Sequence, residues 1–230
     1  MKNFEDFEKN IEVKFNDKSL LKQAFLHRSY INENKNLKIE HNERLEFLGD
    51  AVLELAVTKF LFDKYPQKPE GELTAIRAAL VNTKTISEAA SMLKMNDFLL
   101  LSKGEAKDTG RARQFILANA FEALIGAIFV DKGFDAAEKF IGNNLFHLTD
   151  EIVLKKLWQD AKSRFQEKSQ EILGATPVYK TLEEEGPDHD RCFVVGVYIE
   201  DKMIARGDGK SKQEAEQIAA GKGLEAKGWG

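Results

Sequence analysis

NERLEFLGD, residues Asn42 to Asp50, sets three carboxylates in an otherwise strongly apolar segment. Glu43, Glu46 and Asp50 are spaced i, i+3 and i+7, so on a helix they share one face. Leu45, Phe47, Leu48, Ala51, Val52 and Leu53 clothe the rest of that helix. Acids on a helix are most often its solvated side, but a surface helix usually mixes charge signs opposite an apolar stripe. Gly49 argues for something closer packed, because glycine inside a helix costs about 1 kcal/mol relative to alanine. That cost implies a neighbour pressed against the backbone there. Carboxylates drawn out of water need a cationic partner, and a divalent metal ion is the obvious one.

A second acidic position follows in Ile116–Val130, ILANAFEALIGAIFV, an apolar run broken by Asn119 and Glu122. These two lie one turn apart on one face, surrounded by Phe121, Leu124, Ile125 and Ile128. If the two helices pack side by side, Glu46, Asp50, Asn119 and Glu122 converge. An all-oxygen set of this kind suits Mg²⁺ or Mn²⁺, and no Cys/His cluster suggests zinc.

Outside these segments the chain reads as two parts. Residues 1–150 are helical throughout, with apolar periodicity over Asp17–His27, a long helix capped by Asn42 and running to Tyr65, and further helices near 70–82, 84–95, 111–131 and 134–147. Lys103–Gly110 reads as a loop. In residues 151–230, Ala161–Leu173 is an amphipathic helix ending at Gly174. Val178–Leu182, Cys192–Ile199 and Lys202–Arg206 alternate as strands, and Ser211 caps a helix to Ala226. The expected fold class is an all-α domain followed by a small α+β domain of order αβββα, joined within Leu148–Gln159.

Composition sets bounds on function. The 230 residues are 43% hydrophobic, enough for a real core in two modest domains. Glu54, Lys59 and Glu122 interrupt the candidate membrane spans, and the acidic start MKNFEDFEKN is unlike a signal peptide. No membrane partner is expected. Cys192 stands alone, which excludes an intramolecular disulfide framework and fits a cytoplasmic protein. A net charge of −4 and a pI near 5.7 mean that any nucleic-acid affinity must come from how the lysines are arranged.

NERLEFLGD resembles the signature of the ribonuclease III family of double-stranded-RNA endonucleases. LHRSY at Leu26–Tyr30, GELTAIRAALV at Gly71–Val81 and KGEAKDTGRARQFILANAFEAL at Lys103–Leu124 resemble further family segments in the same order. The αβββα part resembles the double-stranded-RNA-binding domain. The resemblance implies a Mg²⁺-dependent hydrolase, with Mn²⁺ able to substitute, cutting both strands of an RNA duplex as a homodimer. It implies 5′-phosphate ends, short 3′ overhangs, and a role in processing rRNA and mRNA precursors. Glu46, Asp50 and Glu122 correspond to the family's metal-binding and catalytic acids, with Asp50 and Glu122 the most critical, while Glu43 matches a supporting acid. Asn119 stands where the family usually has Asp, which implies weaker metal affinity. Phe115 replaces a small polar residue.

RNA contacts are expected at Gln166 and Gln170, at His189 in the turn GPDHDR, and at Lys210 and Lys212. Gln213 replaces a frequent basic residue, and Gly221 and Gly223 interrupt the last helix. Both departures imply weak RNA binding by this part and fraying of its final turn. Two rivals stand beside the nuclease: a duplex-binding regulator that has lost cleavage, and a metal-dependent phosphohydrolase for small molecules.

Overall fold

The computed structural model describes residues 3–34, 39–155, 158, 160–186 and 191–229. The chain divides into two compact units, Met1–Trp158 and Gln159–Gly230, within the predicted linker rather than between 150 and 151. The first contains α1 (Phe4–Asn10), α2 (Lys18–Ala24), α3 (Arg28–Glu33), α4 (Glu43–Lys64), α5 (Glu70–Leu80), α6 (Thr83–Met92), α7 (Arg111–Lys132), α8 (Phe134–Leu145) and α9 (Thr149–Leu154). The second contains α10 (Ala161–Leu173), β1 (Val178–Glu185), β2 (Cys192–Ile199), β3 (Lys202–Gly209) and α11 (Lys212–Lys227).

α7 is the spine of the helical unit. Ala118, Ala120, Phe121, Ala123, Leu124, Ile125, Ala127 and Ile128 are all buried, so apolar surface surrounds it on most sides. By length and composition α7 is apolar enough to cross a membrane, yet 61% of that window is buried inside the unit. α4 lies against it through Leu45, Gly49, Val52, Leu53, Ala56, Val57 and Leu61. Two glycines make the approach this close. A Cβ on Gly49 would collide with the backbone carbonyl oxygen of Glu122 and stand 2.8 Å from the amide of Gly126. A Cβ on Gly126 would collide with the carbonyl oxygen of Leu45 and stand 3.1 Å from the amide of Gly49.

Two expectations for α4 are corrected. Asn42 precedes the helix but does not cap it: its amide turns inward, where Nδ2 donates to the Ala24 carbonyl at 3.2 Å. His41 Nδ1 instead accepts from the amide of Glu43 at 3.4 Å. The apolar coat on α4 is also not all interior. Phe47, Leu55 and Phe62 are 82%, 57% and 71% exposed, forming an outward stripe at 8- and 7-residue spacing.

In the second unit the antiparallel sheet runs β1-β2-β3, with Val178 opposite Tyr198 and Tyr198 opposite Met203. Its helix-facing side meets Phe165, Ala219, Ala220 and Leu224 through Val197 and Ile199. α10 ends at Gly174, which takes φ +67, a left-handed conformation that glycine adopts without a Cβ penalty. α11 is unbroken to Lys227. A Cβ on Gly223 would meet the Phe165 ring at 2.9 Å, so that glycine permits α10 and α11 to approach. Gly221 has only ordinary contact with Ala161 at 3.9 Å.

Candidate active site and RNA interface

The α4–α7 crossing decides where the polar side chains emerge. Gly49 sits on the Glu122 backbone, so Glu46 and Asp50, flanking that glycine on α4, open onto the same seam as Asn119 and Glu122 on α7. Glu46, Asn119 and Glu122 are half-buried and Asp50 is exposed. Burial is the main force raising the Glu122 carboxyl to about 7, and the charges of Asp50 and Glu46 push it further in the same direction. Burial likewise raises Glu46, helped by the charges of Glu43 and Asp50 and opposed by a side-chain hydrogen bond from Asn119. The four predicted groups therefore lie within electrostatic reach of one another, three carboxylates that repel and one amide.

What surrounds them is equally informative. Glu43 stands 3.5 Å from Arg28, and Glu54 stands 3.5 Å from Arg77, which also donates to Thr58. Both acids therefore have an arginine partner. Glu46, Asp50 and Glu122 have no ion-pair partner among the described residues. Nor are three His, Cys, Asp or Glu side chains among those residues already gathered to hold a metal ion. The three acids interact through space without sharing one ligand shell. Their chemistry suits a hard divalent cation: oxygen donors only, excess negative charge and no paired cation among the described residues. Asn119 adds a neutral carbonyl to that set.

In the second unit Gln166 and Gln170 are exposed one turn apart on α10, and Gln170 Nε2 donates to Thr176 Oγ1 at 3.3 Å. Lys212 lies 3.3 Å from Glu184 of β1 and over the Phe193 ring at 5.5 Å. Lys212 is thus paired within its own unit, a contact that the sequence did not reveal. The Lys210 amide donates to Glu214 at 2.8 Å, and Ser211 caps α11 by accepting from the Glu214 amide. His189 lies outside the described residues.

Residues 17–148 match the Ribonuclease-III-like family, and residues 161–226 match the double-stranded RNA binding motif. The chain belongs to the ribonuclease III family. Ribonuclease 3 of Carboxydothermus hydrogenoformans is 46% identical over 223 residues, covering 97% of this chain and 95% of that protein. Ribonuclease 3 of Protochlamydia amoebophila is 44% identical over 210 residues, covering 91% and 86%. A crystal structure of the nuclease domain of ribonuclease III from Campylobacter jejuni aligns with a TM-score of 0.56 at 42% identity, covering 63% of this chain and 97% of that one. The helical unit thus corresponds to the ribonuclease III nuclease domain, and the αβββα unit to the double-stranded RNA binding motif.

Sequence reasoning missed Gly126. Its signal was of the same kind as that of Gly49, a glycine inside an apolar helix.

Proposed function

We propose that the chain hydrolyses phosphodiester bonds within double-stranded RNA, leaving 5′-phosphate ends and short 3′ overhangs on rRNA and mRNA precursors in the cytoplasm. One observation carries the reading: acids from two crossing helices repel one another with no ion-pair partner among the described residues, in a chain that also holds a duplex-RNA-binding motif. Glu46, Asp50 and Glu122 would hold Mg²⁺, or Mn²⁺ in its place, with the Asn119 carbonyl as a neutral donor. When bound, the ion would polarise water and neutralise charge on the scissile phosphate. The chain's own part is to fix these oxygens on rigid helices, with Asn119 beside Glu46 partly offsetting the burial that disfavours its charge. Gln166, Gln170 and the Lys210–Lys212 corner would meet the minor groove and the phosphates of an A-form duplex.

The exposed Phe47, Leu55 and Phe62 stripe on α4 supports pairing with a second copy, so that two sites face one duplex. A monomer in sedimentation at micromolar concentration would refute that pairing.

The decisive assay offers a long RNA duplex with Mg²⁺ or with Ca²⁺. The expected result is cutting with Mg²⁺ and little with Ca²⁺. Binding without cutting under both conditions would favour the regulator, the reading that Asn119 supports. In the same assay Asn119→Asp is expected to lower the Mg²⁺ midpoint severalfold, because it adds an anion to the donor set. An unchanged midpoint would mean that residue 119 does not tune the ion.

A further inference from the structure

The stretch Ser102–Gly110, which leads into α7, has a single short helical turn at Glu105–Lys107. It exposes Lys103 and Lys107, and Arg111 follows at the start of α7. None of the three has an ion-pair partner among the described residues, and Arg111 lies over the Phe115 ring at 5.9 Å. Exposed polar loops are ordinarily the most mobile part of a fold. Two clamps hold this one.

At its start, the Ser102 amide donates to Ser29 Oγ at 3.0 Å. That hydroxyl lies 2.8 Å from His27 Nδ1, which also accepts from the Ser29 amide at 3.3 Å. The relay needs His27 Nδ1 unprotonated, so that the hydroxyl donates to the ring and accepts from the loop. The Lys103 amide adds a bond to the Glu33 carboxylate at 3.1 Å. At the far end, Arg113 Nη2 donates to the carbonyls of Glu105 at 2.6 Å and Asp108 at 2.9 Å. Its Nη1 donates to Asn96 Oδ1 at 2.8 Å. One planar guanidinium thus ties two points of the loop to a separate segment, a geometry that an ammonium cannot copy.

We propose that Ser29, buttressed by His27, and Arg113 are positioning residues for cleavage: they hold the loop so that Lys103, Lys107 and Arg111 meet the duplex backbone beside α7. The inference rests on the duplex-cleaving reading and deepens it. Ordering these cations before the substrate arrives removes an entropic cost from binding. It leaves the acids on the seam untouched. Loosening either clamp therefore acts on KM and spares kcat.

The test compares Ser29→Ala, Arg113→Lys, the double variant Lys103→Ala/Lys107→Ala, and each clamp variant combined with that pair, all in the full chain. Each clamp variant is expected to raise KM for a long duplex about tenfold with kcat within about twofold, since it weakens binding to ground and transition states alike. The lysine pair should raise KM comparably and reduce the salt dependence of log KM by roughly two units, one per lost phosphate contact. Adding a clamp change to the lysine pair should produce less than the product of the separate effects, because both act through one loop. Fully multiplicative losses, or a fall in kcat at constant KM, would overturn the proposal. Ser29→Ala decides the matter should Arg113→Lys fail to fold. A wild-type chain that leaves duplex RNA intact would instead overturn the functional reading itself.

Discussion

Replacing Glu122 by glutamine is expected to remove duplex cleavage by a factor of at least about 10³ while making the metal-free protein more stable above neutral pH. Both effects have one cause. The Glu122 carboxyl is raised from 4.5 to about 7, first by burial and then by the charges of Asp50 and Glu46. An acid with a raised folded-state value holds its proton in the native state where the unfolded chain has already released it. Stability therefore falls as pH climbs from 4.5 through 7, and the penalty is complete above that. At 1.36 kcal/mol per pH unit, and discounted for partial solvent screening, the penalty is about 2 kcal/mol. Glutamine keeps the shape and removes the charge. Urea denaturation of the two proteins should show glutamine ahead by about 1–2 kcal/mol at pH 8, with the gap closing near pH 4.5. Mg²⁺ should lift the wild-type midpoint at pH 8 and lift the variant much less, because a ligand stabilises in proportion to its occupancy of the native state. Equal stability of the two proteins at pH 8 would mean that Glu122 is not electrostatically strained.

The elements most legible in the sequence were those set by local pattern. Polar interruptions in two apolar helices gave Glu46, Asp50, Asn119 and Glu122, and the cost of an interior glycine gave the close approach at Gly49. What escaped was decided at long range. Asn42 looked like a cap, but a bond to the Ala24 carbonyl outcompetes local capping. Phe47 belongs to the apolar coat of α4 yet is 82% exposed, because periodicity tells which residues share a face, not which face meets solvent. β1 and β3 extend to Glu185 and Gly209, beyond the expected Leu182 and Arg206. Glu183–Glu185 and Gly207–Gly209 have poor strand propensity and are held by pairing with β2. Gly207 is required there because a Cβ would strike the backbone of α11 at Ala215 and Ala219. The pairing of Lys212 with Glu184 and the Ser29–Ser102 clamp join residues far apart in sequence, so no local pattern announces them.

Gly49→Ala should be the most damaging single methyl in the helical unit. On helix propensity alone it would stabilise by about 1 kcal/mol. Packing reverses the sign. The new Cβ collides with the Glu122 carbonyl oxygen and stands 2.8 Å from the Gly126 amide, so every opposing atom is backbone and no rotamer change relieves it. α4 and α7 would have to separate along a seam lined by Leu45, Val52, Ala120 and Ala123, opening voids in a close-packed core. Overpacking costs about 1–3 kcal/mol where side chains can yield, so a purely backbone clash should cost about 4 kcal/mol or more. The acids share that seam, so cleavage should vanish even in whatever fraction stays folded. Gly71→Ala supplies the control: it lies in α5, and a Cβ there meets nothing within 4 Å. Its unfolding midpoint should match or slightly exceed that of the wild type. A Gly49→Ala midpoint as high as that of Gly71→Ala would show that the two helices do not meet backbone to backbone, and the convergence of Glu46, Asp50 and Glu122 would lose its structural cause.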